Sequence, residues 1–421
     1  MKVTLINTSD GDGGAAAACM RLLNALDSQN VDARLLVEYK QSNDDRIEGI
    51  ANNFITNLKA KFDFLYERLP FMFFHEKDKS VRFAFSTAPT GVSIHNRQIV
   101  RDADILHLHW INSGFLSIAD LKGLVDTGKP IVWTLHDMWE FTGGCHYAGT
   151  CDNFMRECGN CPFLRDPGEN DISRKGWHRK AKMYADAKNI TIVTCSQWLA
   201  GVAKQSSLLK DFRIESIPNP IDVELFSPQN NIVAREKRGI NPAAKIILFG
   251  AANINDRRKG INYLIEALNI LKTDYPQNEK TEVVIFGKNN HFDVTQLPFK
   301  VHELSLITSQ EELSEIYGMV DVFVTPSLED NLPNTVMEAL ACGTPVVAFN
   351  TGGIPEMVDH QQNGYLAEFR SAADLAKGLD EILNTTDAAT LSANARQKVL
   401  DNYTNEKVAR QYIDLYQSIL K

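Results

Sequence analysis

The chain has 421 residues, of which 44% are hydrophobic and 23% charged. This length exceeds one ordinary hydrophobic core and predicts two domains of about 200 residues each. The net charge of -9 argues against a nucleic-acid-binding surface, which would need a basic face. No apolar stretch reaches the about 18 residues that would cross a bilayer. Because the first predicted strand begins at residue 1, we expect no signal peptide and a cytoplasmic protein.

Short apolar runs alternate with helical patterns along the chain, which is typical of parallel sheets wrapped by helices. The predicted buried strands are VTLIN, DARLLVE, ILHLHW, PIVWTLH and ITIVTCS, followed by KIILFGA, EVVIFGK, DVFVTPS and TPVVAFN. The proline- and asparagine-rich stretch IPNPIDVELFSPQNN between the two groups reads as a linker. The sequence therefore predicts an α/β protein with two doubly wound, Rossmann-like domains that face each other across a ligand-binding cleft.

We place the domain boundary near residue 218. The predicted segments are an N-terminal domain at 1–218 with a cysteine-rich insertion at 143–163, a C-terminal domain at 219–402, and a last helix at 403–421. That helix is amphipathic, with an apolar face formed by Val408, Tyr412, Leu415 and Ile419. We expect it to pack back on the N-terminal domain.

The clearest chemistry lies in the stretch DVFVTPSLEDNLPNTVMEALACGTPVVAF. A buried strand is predicted to end at Ser327, and a helix to start near Pro333 after a loop. A helix start at the carboxyl edge of a parallel sheet favours phosphate, because of its amides and its dipole. The amides of Asn334 and Thr335 are thus candidates for binding a diphosphate. Glu338, about 6 Å further along the axis, could accept hydrogen bonds from a ribose diol.

Asp330, in the loop before this helix, would face the sugar beyond the diphosphate. The alternative is a capped helix whose first turns carry acids only because the dipole favours them. Asp330 and Glu338, separated by seven residues ahead of EALACGTPVVAF, resemble the signature of family 4 nucleotide-sugar glycosyltransferases. That family usually has Glu at the first position, whereas this chain has Asp330, preceded by Glu329. The family also commonly has glycines just after the first acid, whereas this chain has Asn331, Leu332 and Pro333.

Further stretches match the same family in the same order: ILFGAANINDRRKGINYLIEAL, CSQWLAGVAKQS with IESIPNPIDVELF, and NTGGIPEMVDHQQNGYLAE. The first of these places Lys259, together with Arg258, against the donor diphosphate, where positive charge stabilises the leaving group. Arg257 or Arg258 stands in for an arginine that the family has earlier in this loop.

The resemblance implies the GT-B fold and retaining transfer of a sugar from a nucleotide diphosphate, of UDP or GDP type, to a glycan or polyprenyl-linked acceptor in surface polysaccharide biosynthesis. Asp330 and His136 would position the donor sugar. No cofactor is implied for catalysis, since cationic side chains and a helix end take the role of a divalent metal. Two alternatives are a sugar-nucleotide epimerase of the same fold and a non-catalytic sugar-nucleotide-binding relative.

In the N-terminal half, a glycine loop follows the first strand but lacks a P-loop lysine. The resemblance makes Gly13 and Gly14 candidates for a surface facing donor and acceptor. It also matches His136, at the end of the strand IVWTLH, to a histidine near the reacting sugar, although a lone histidine is often a core residue. Strand alternation sends His107 and His109 to one face, with His109 nearer the cleft.

Two further segments suggest additional sites. Cys145, Cys151, Cys158 and Cys161, spaced by five, six and two residues, predict a structural tetrahedral zinc site, in which His146 could replace one thiol; the alternative is four free thiols. Residues 51–85 hold eight of the 21 phenylalanines and six Lys and Arg against four acids. This composition suggests contact with the inner face of a membrane or with a lipid-linked acceptor, and the alternative is an ordinary buried helix.

Overall fold

The computed structural model describes residues 1–11, 13–229, 231–289, 292–385 and 387–421. The chain divides into two compact units. Unit 1 comprises Met1–Pro220 and Glu406–Lys421, and unit 2 comprises Ile221–Asn405. Each unit is built on one parallel sheet, which confirms the predicted α/β class with two Rossmann-like domains.

The sheet of unit 1 has seven strands within the described residues, in the order β3-β2-β1-β4-β5-β6-β7. They are β1 (Lys2–Ser9), β2 (Asp32–Tyr39), β3 (Ile47–Gly49), β4 (Ile105–Leu108), β5 (Ile131–Leu135), β6 (Ile190–Thr194) and β7 (Arg213–Ser216). The inner strands are buried along their length, as their apolar runs require. Strand order reverses between β1 and β4, where doubly wound sheets bind their ligands.

Helices connect these strands, and most of them bury apolar side chains against the sheet. They are α1 (Gly13–Ser28), α2 (Phe54–Pro70), α3 (Gln98–Arg101), α4 (Ile118–Val125), α5 (Ile172–Tyr184) and α6 (Gln197–Gln205). A π-helical turn at Phe71–His75 continues α2. None of the helices in the described part of the chain combines the length and the hydropathy needed to cross a bilayer.

The sheet of unit 2 has six strands within the described residues, in the order β10-β9-β8-β11-β12-β13. They are β8 (Lys245–Asn253), β9 (Thr281–Lys288), β10 (Lys300–Leu304), β11 (Val322–Thr325), β12 (Val346–Phe349) and β13 (Gly364–Ala367). Its switch point lies between β8 and β11, which pair through Val322 with Ile247 and Phe323 with Leu248.

The helices of unit 2 are α7 (Asn231–Lys237), α8 (Ile261–Asp274), α9 (Gln310–Gly318), α10 (Asn334–Ala341), α11 (Ile354–Met357), α12 (Ala372–Asn384) and α13 (Ala388–Asn402). The last helix, α14 (Asn405–Leu420), adds Val408, Tyr412 and Leu415 to the core of unit 1, beside Leu22 and Leu26 of α1. The apolar face of α14 is therefore buried against residues of unit 1 that lie far from it in sequence.

Candidate active site

The loops that follow β8 and β11 meet at the switch point of unit 2. The loop after β8 ends in a short 3-10 turn, Arg257–Lys259, and then Gly260. Gly260 has φ 70°, and a Cβ there would lie 2.0 Å from the carbonyl oxygen of Pro326. The amide of Leu328 donates to the carbonyl oxygen of Arg258 at 2.6 Å. Glycine is therefore needed for the two loops to pack this closely.

This packing brings together two side chains that are 71 residues apart in sequence. The ammonium of Lys259 donates to a carboxylate oxygen of Asp330 at 2.6 Å, and both side chains keep part of their surface exposed. Arg258 instead binds the carboxylate of Asp256 at 2.7 Å. Burial raises the pKa of Asp256, but the charge and hydrogen bonds of Arg258 outweigh burial and leave that pKa below its usual value.

The glycine-rich loop after β12 holds Asp330 from its other side. The amide of Gly353 donates to the carbonyl oxygen of Asp330 at 3.2 Å. Gly352 has φ 58°, and a Cβ there would lie 1.9 Å from the same oxygen. Sequence reasoning noted this loop only as a family match. Its positive φ and close approach show that it fixes the backbone of the first acid.

Helix α10 starts at Asn334, with Pro333 as its cap rather than its first residue. The amides of Val336 and Met337 donate to the carbonyl oxygen of Pro333. Asn334 and Thr335 lie half-buried at the N-terminus, where helix geometry provides no intrahelical acceptor for backbone amides. The structure thus has a helix N-terminus at the carboxyl edge of the sheet, beside the switch point.

Glu338 lies one turn along α10 and is buried. One of its carboxylate oxygens accepts a hydrogen bond from the hydroxyl of Tyr317 at 3.1 Å. Tyr317 is itself buried, in edge-on contact with the rings of Phe286 and Phe323. Sequence reasoning missed Tyr317, because a tyrosine in an amphipathic helix reads as core.

In unit 1, the candidate glycines lie at the start of α1. Gly13 has φ 88°, and nothing lies within 4 Å of the position that its Cβ would occupy. Gly13 and Gly14 are both exposed. The positive φ explains the glycine at position 13, and the open space beside it leaves room for a ligand next to the switch point of this sheet.

The three candidate histidines of unit 1 stand in one row. The rings of His107 and His109 are 4.4 Å apart, and Nδ1 of His109 lies 3.0 Å from Nε2 of His136. Nδ1 of His136 lies 3.7 Å from the sulfur of Cys195. Burial lowers the pKa of His136 to about 4 and of His107 to about 3, and it lowers the pKa of His109 as well. All three rings are therefore neutral at pH 7.

Two tyrosines of α14, near the C-terminal end of the chain, make hydrogen bonds beside these histidines. The hydroxyl of Tyr416 lies 2.7 Å from Nδ1 of His107, and Nε2 of His107 lies 2.7 Å from Oγ1 of Thr134. The hydroxyl of Tyr412 reaches the same threonine at 3.0 Å. Both ring nitrogens of His107 are thus engaged with protein partners, which makes His107 a structural rather than a reacting group.

The four cysteines of the insertion line one small cavity of about 10 Å³, together with Phe85 and Phe163. Cys158 accepts a hydrogen bond from the amide of Gly143 at 3.1 Å. Burial raises the pKa of Cys158 to about 11 and of Cys161 to about 12. Across the described ranges, no set of three or more His, Cys, Asp or Glu side chains is arranged to hold a metal ion. The thiols surround a common space without forming a ligand set, and the zinc site stays a prediction.

Two α/β units, each built on a parallel sheet and one with a helix N-terminus and an acid–lysine pair at its switch point, have the architecture of GT-B glycosyltransferases. Residues 12–225 match the family described as Glycosyltransferase Family 4, and residues 231–398 match Glycosyl transferases group 1. The chain belongs to the family 4, group 1 glycosyltransferases, as its motifs predicted.

Individual relatives are distant. A D-inositol 3-phosphate glycosyltransferase of Pseudarthrobacter chlorophenolicus is 28% identical over 70% of this chain and 66% of its own, slightly under two thirds of its length. WcaC of Escherichia coli K12, named for colanic acid biosynthesis, is 24% identical over 76% of each chain. The solved structure of Anabaena HepE in complex with UDP-glucose has a TM-score of 0.66 at 16% identity, covering 99% of this chain and 100% of that one. This likeness supports the fold.

Proposed function

We propose that this protein is a retaining glycosyltransferase that moves a sugar from a nucleotide diphosphate to a glycan or lipid-linked acceptor in surface polysaccharide biosynthesis. The observation that carries the proposal is the contact between Lys259 and Asp330 at the switch point of unit 2, beside the N-terminus of α10. The carboxylate of Asp330, the ammonium of Lys259 and the electropositive N-terminus of α10 thus lie together where a Rossmann-like sheet binds its ligand.

The donor nucleotide would be held by α10 and the loop after β8. The amides of Asn334 and Thr335 and the helix dipole bind the diphosphate, with Lys259 and Arg258 supplying positive charge. The buried carboxylate of Glu338 accepts hydrogen bonds from the ribose hydroxyls. The hydroxyl of Tyr317 holds one oxygen of this carboxylate, so Tyr317 is a positioning residue for the ribose. UDP is the first donor nucleotide to test, because the similar HepE structure is a UDP-glucose complex.

The chemical step breaks the bond between the anomeric carbon and the diphosphate oxygen. Negative charge grows on the diphosphate as this bond lengthens, and Lys259 stabilises that charge because its ammonium is already positioned by Asp330. Asp330 would contact a hydroxyl of the donor sugar with its remaining acceptor capacity. The acceptor hydroxyl attacks the face from which the diphosphate departs and passes its proton to the departing diphosphate oxygen, so that the anomeric configuration is retained.

Unit 1 carries its own candidate contacts for a sugar, namely His136 and the glycines of α1. Because the ring of His136 is neutral at pH 7, it can hydrogen-bond a sugar hydroxyl but cannot supply positive charge. The contact of its Nδ1 with the sulfur of Cys195 is long, at 3.7 Å, and a sugar hydroxyl could replace it. His109 orients His136, and the open space beside Gly13 leaves room for a ligand.

The test begins with thermal unfolding in the presence of UDP-, GDP- and ADP-sugars, because a ligand that binds only the native state raises the melting temperature. The nucleotide sugar that binds is then incubated without acceptor, and the released sugar is followed by proton NMR. Slow hydrolysis with the anomeric configuration retained supports the proposal. A donor isomerised at another carbon would identify an epimerase, and binding without any turnover would identify a non-catalytic relative.

A further inference from the structure

Helix α2 exposes its apolar side to solvent, which is the reverse of an ordinary surface helix. Its apolar side chains point away from unit 1: Phe54 is 82% exposed, Phe62 61% and Leu58 58%. These residues recur at helical spacing and continue to Leu65 and Leu69, so they form one stripe. A helix in water normally buries such a stripe, and contiguous exposed apolar surface marks an interaction site.

The polar side chains of α2 are the ones that face unit 1. Asp63 and Glu67 are buried, and the amide of Gly114 donates to a carboxylate oxygen of Glu67 at 2.7 Å. Arg68 is buried as well and donates to the carbonyl oxygen of Phe85 at 2.8 Å and to the hydroxyl of Ser86. These hydrogen bonds fix the rotation of the helix. Exposure of its apolar side is therefore built into the fold.

The turn after α2 extends the same surface. Phe71 is buried and its ring stacks on that of Phe85 at 5.2 Å, whereas Phe73 and Phe74 are 62% and 70% exposed. The segment just after the cysteine-rich insertion holds this turn in place, because the amide of Arg165 donates to the carbonyl oxygen of His75 at 2.8 Å. We define the aromatic face as the exposed side chains of Phe54, Leu58, Phe62, Leu65, Phe73 and Phe74.

Most of the exposed charges around the aromatic face are positive. In the sequence, four acids offset most of the six basic residues of this segment. In the structure Asp63 and Glu67 are buried, and Glu76 forms an ion pair with Arg82. Lys61, Lys77 and Lys79 remain exposed, with Asp78 as the exposed acid beside them. Three exposed lysines against one exposed acid leave this outer surface basic, on a chain with a net charge of -9.

We propose that the aromatic face docks on an anionic lipid bilayer, with the phenylalanines in the interface and the three lysines against lipid phosphates. Aromatic and aliphatic side chains beside lysines are the composition of interfacial helices. Charge complementarity favours the bilayer over a second copy of this chain, because a second copy would bring two lysine-rimmed faces together. Docking of this kind would place the protein beside a lipid-linked acceptor, but it does not depend on the proposed transferase activity.

The test is co-sedimentation with vesicles of equal parts phosphatidylglycerol and phosphatidylcholine, at low and physiological salt. Wild-type protein is expected in the pellet, more completely at low salt, and less with pure phosphatidylcholine. The double variant Phe73→Ser, Phe74→Ser is expected to stay in the supernatant. Replacing Lys61, Lys77 and Lys79 by Ala should weaken binding on the order of 100-fold at low salt. The control Leu306→Ser, Phe369→Ser removes two exposed apolar side chains of unit 2 and should bind like wild type.

Circular dichroism and thermal unfolding of each variant establish that it is folded, which is expected because the changed side chains are exposed. Wild type that stays in the supernatant at both salts overturns the proposal. Equal binding by wild type and the Phe73→Ser, Phe74→Ser variant overturns it too. So does a wild-type dimer in analytical ultracentrifugation that the phenylalanine variant lacks, because a second copy then covers the aromatic face.

Discussion

The ammonium of Lys259 lies 2.6 Å from a carboxylate oxygen of Asp330, although the two residues come from loops on either side of the switch point. Two glycines allow this contact: Gly260 lets the first loop reach Pro326, and Gly352 lets a third loop reach the carbonyl oxygen of Asp330. Three separate stretches of sequence thus converge on one ion pair. In the proposed mechanism, this pair positions positive charge for the leaving diphosphate.

Lys259→Ala is expected to lower kcat on the order of 100-fold while changing donor affinity less, because the charge that Lys259 stabilises grows during bond breaking. Steady-state kinetics with varied donor measure both parameters. The exposed Lys280→Ala is the matched control and should match wild type. A rise in KM with unchanged kcat would show that Lys259 binds only the ground state and would refute the leaving-group role.

Single variants of the adjacent acids Glu329 and Asp330 distinguish their roles. The ammonium of Lys259 contacts the carboxylate of Asp330, so Asp330→Asn should lower kcat more than Glu329→Gln does. Loss of activity in Glu329→Gln with full activity in Asp330→Asn would assign the role of the family's first acid to Glu329 instead.

Glu38 on β2 predicts a pH-dependent stability. Its side chain is fully buried, and in the described part of the chain neither carboxylate oxygen has a hydrogen-bond partner. Burial, together with the charges of Asp63 and Glu67, raises its pKa from 4.5 to about 8, against the opposing charge of Lys59. The folded state therefore keeps a proton that the unfolded chain releases, and stability from this group is lost as pH rises from 4.5 to 8.

Glu38→Gln removes this titration without changing shape. Relative to wild type, the variant should gain about 1.4 kcal/mol in free energy of unfolding for each pH unit within that window. Urea unfolding of both proteins at several pH values measures the difference and cancels the other titrating groups. Glu169→Gln changes an exposed acid and should show a pH-independent difference. A flat difference for Glu38→Gln would mean that its carboxylate is ionised in the folded state.

The spacing of the four cysteines predicts about one zinc per chain in purified protein, although the thiols of the described residues are not arranged as a ligand set. Four thiols line this space, and the amides of Gly143 and Phe163 point to the sulfurs of Cys158 and Cys161, where they would stabilise thiolates. Metal analysis of wild type and of Cys158→Ser, Cys161→Ser measures the content, with Cys342→Ser as a control outside the cavity. Zinc near zero in wild type, with four thiols that titrate freely, would contradict the prediction.

The sequence predicted the strands that are buried and missed those at the edges. All nine apolar runs correspond to strands in the interior of the two sheets. The four strands that were not predicted, β3, β7, β10 and β13, are the edges of the two sheets. An edge strand faces water on one side, so β7 (RIES) and β10 (KVHEL) carry polar residues and show no apolar run.

Sequence motifs at the candidate site predicted local features but not tertiary contacts. They predicted the start of α10, Glu338 and the loops after β8 and β11. The contact of Lys259 with Asp330 and the hydrogen bond from Tyr317 to Glu338 depend on tertiary packing, so no local pattern contains them. For α2, the sequence showed the aromatic residues, but only the structure shows that its acids point inward.

The central claim is that α10 binds a nucleoside diphosphate through its N-terminus and Glu338. Isothermal titration of UDP, GDP and ADP against wild type and Glu338→Gln tests it most directly, because it needs neither the sugar nor the acceptor. The preferred nucleotide is expected to bind wild type, and Glu338→Gln is expected to weaken this binding by about 1.5–3 kcal/mol, the value of a charge-assisted hydrogen bond. Exposed Glu236→Gln, the control, should bind like wild type. A folded Glu338→Gln variant that binds the nucleotide as tightly as wild type would contradict the account.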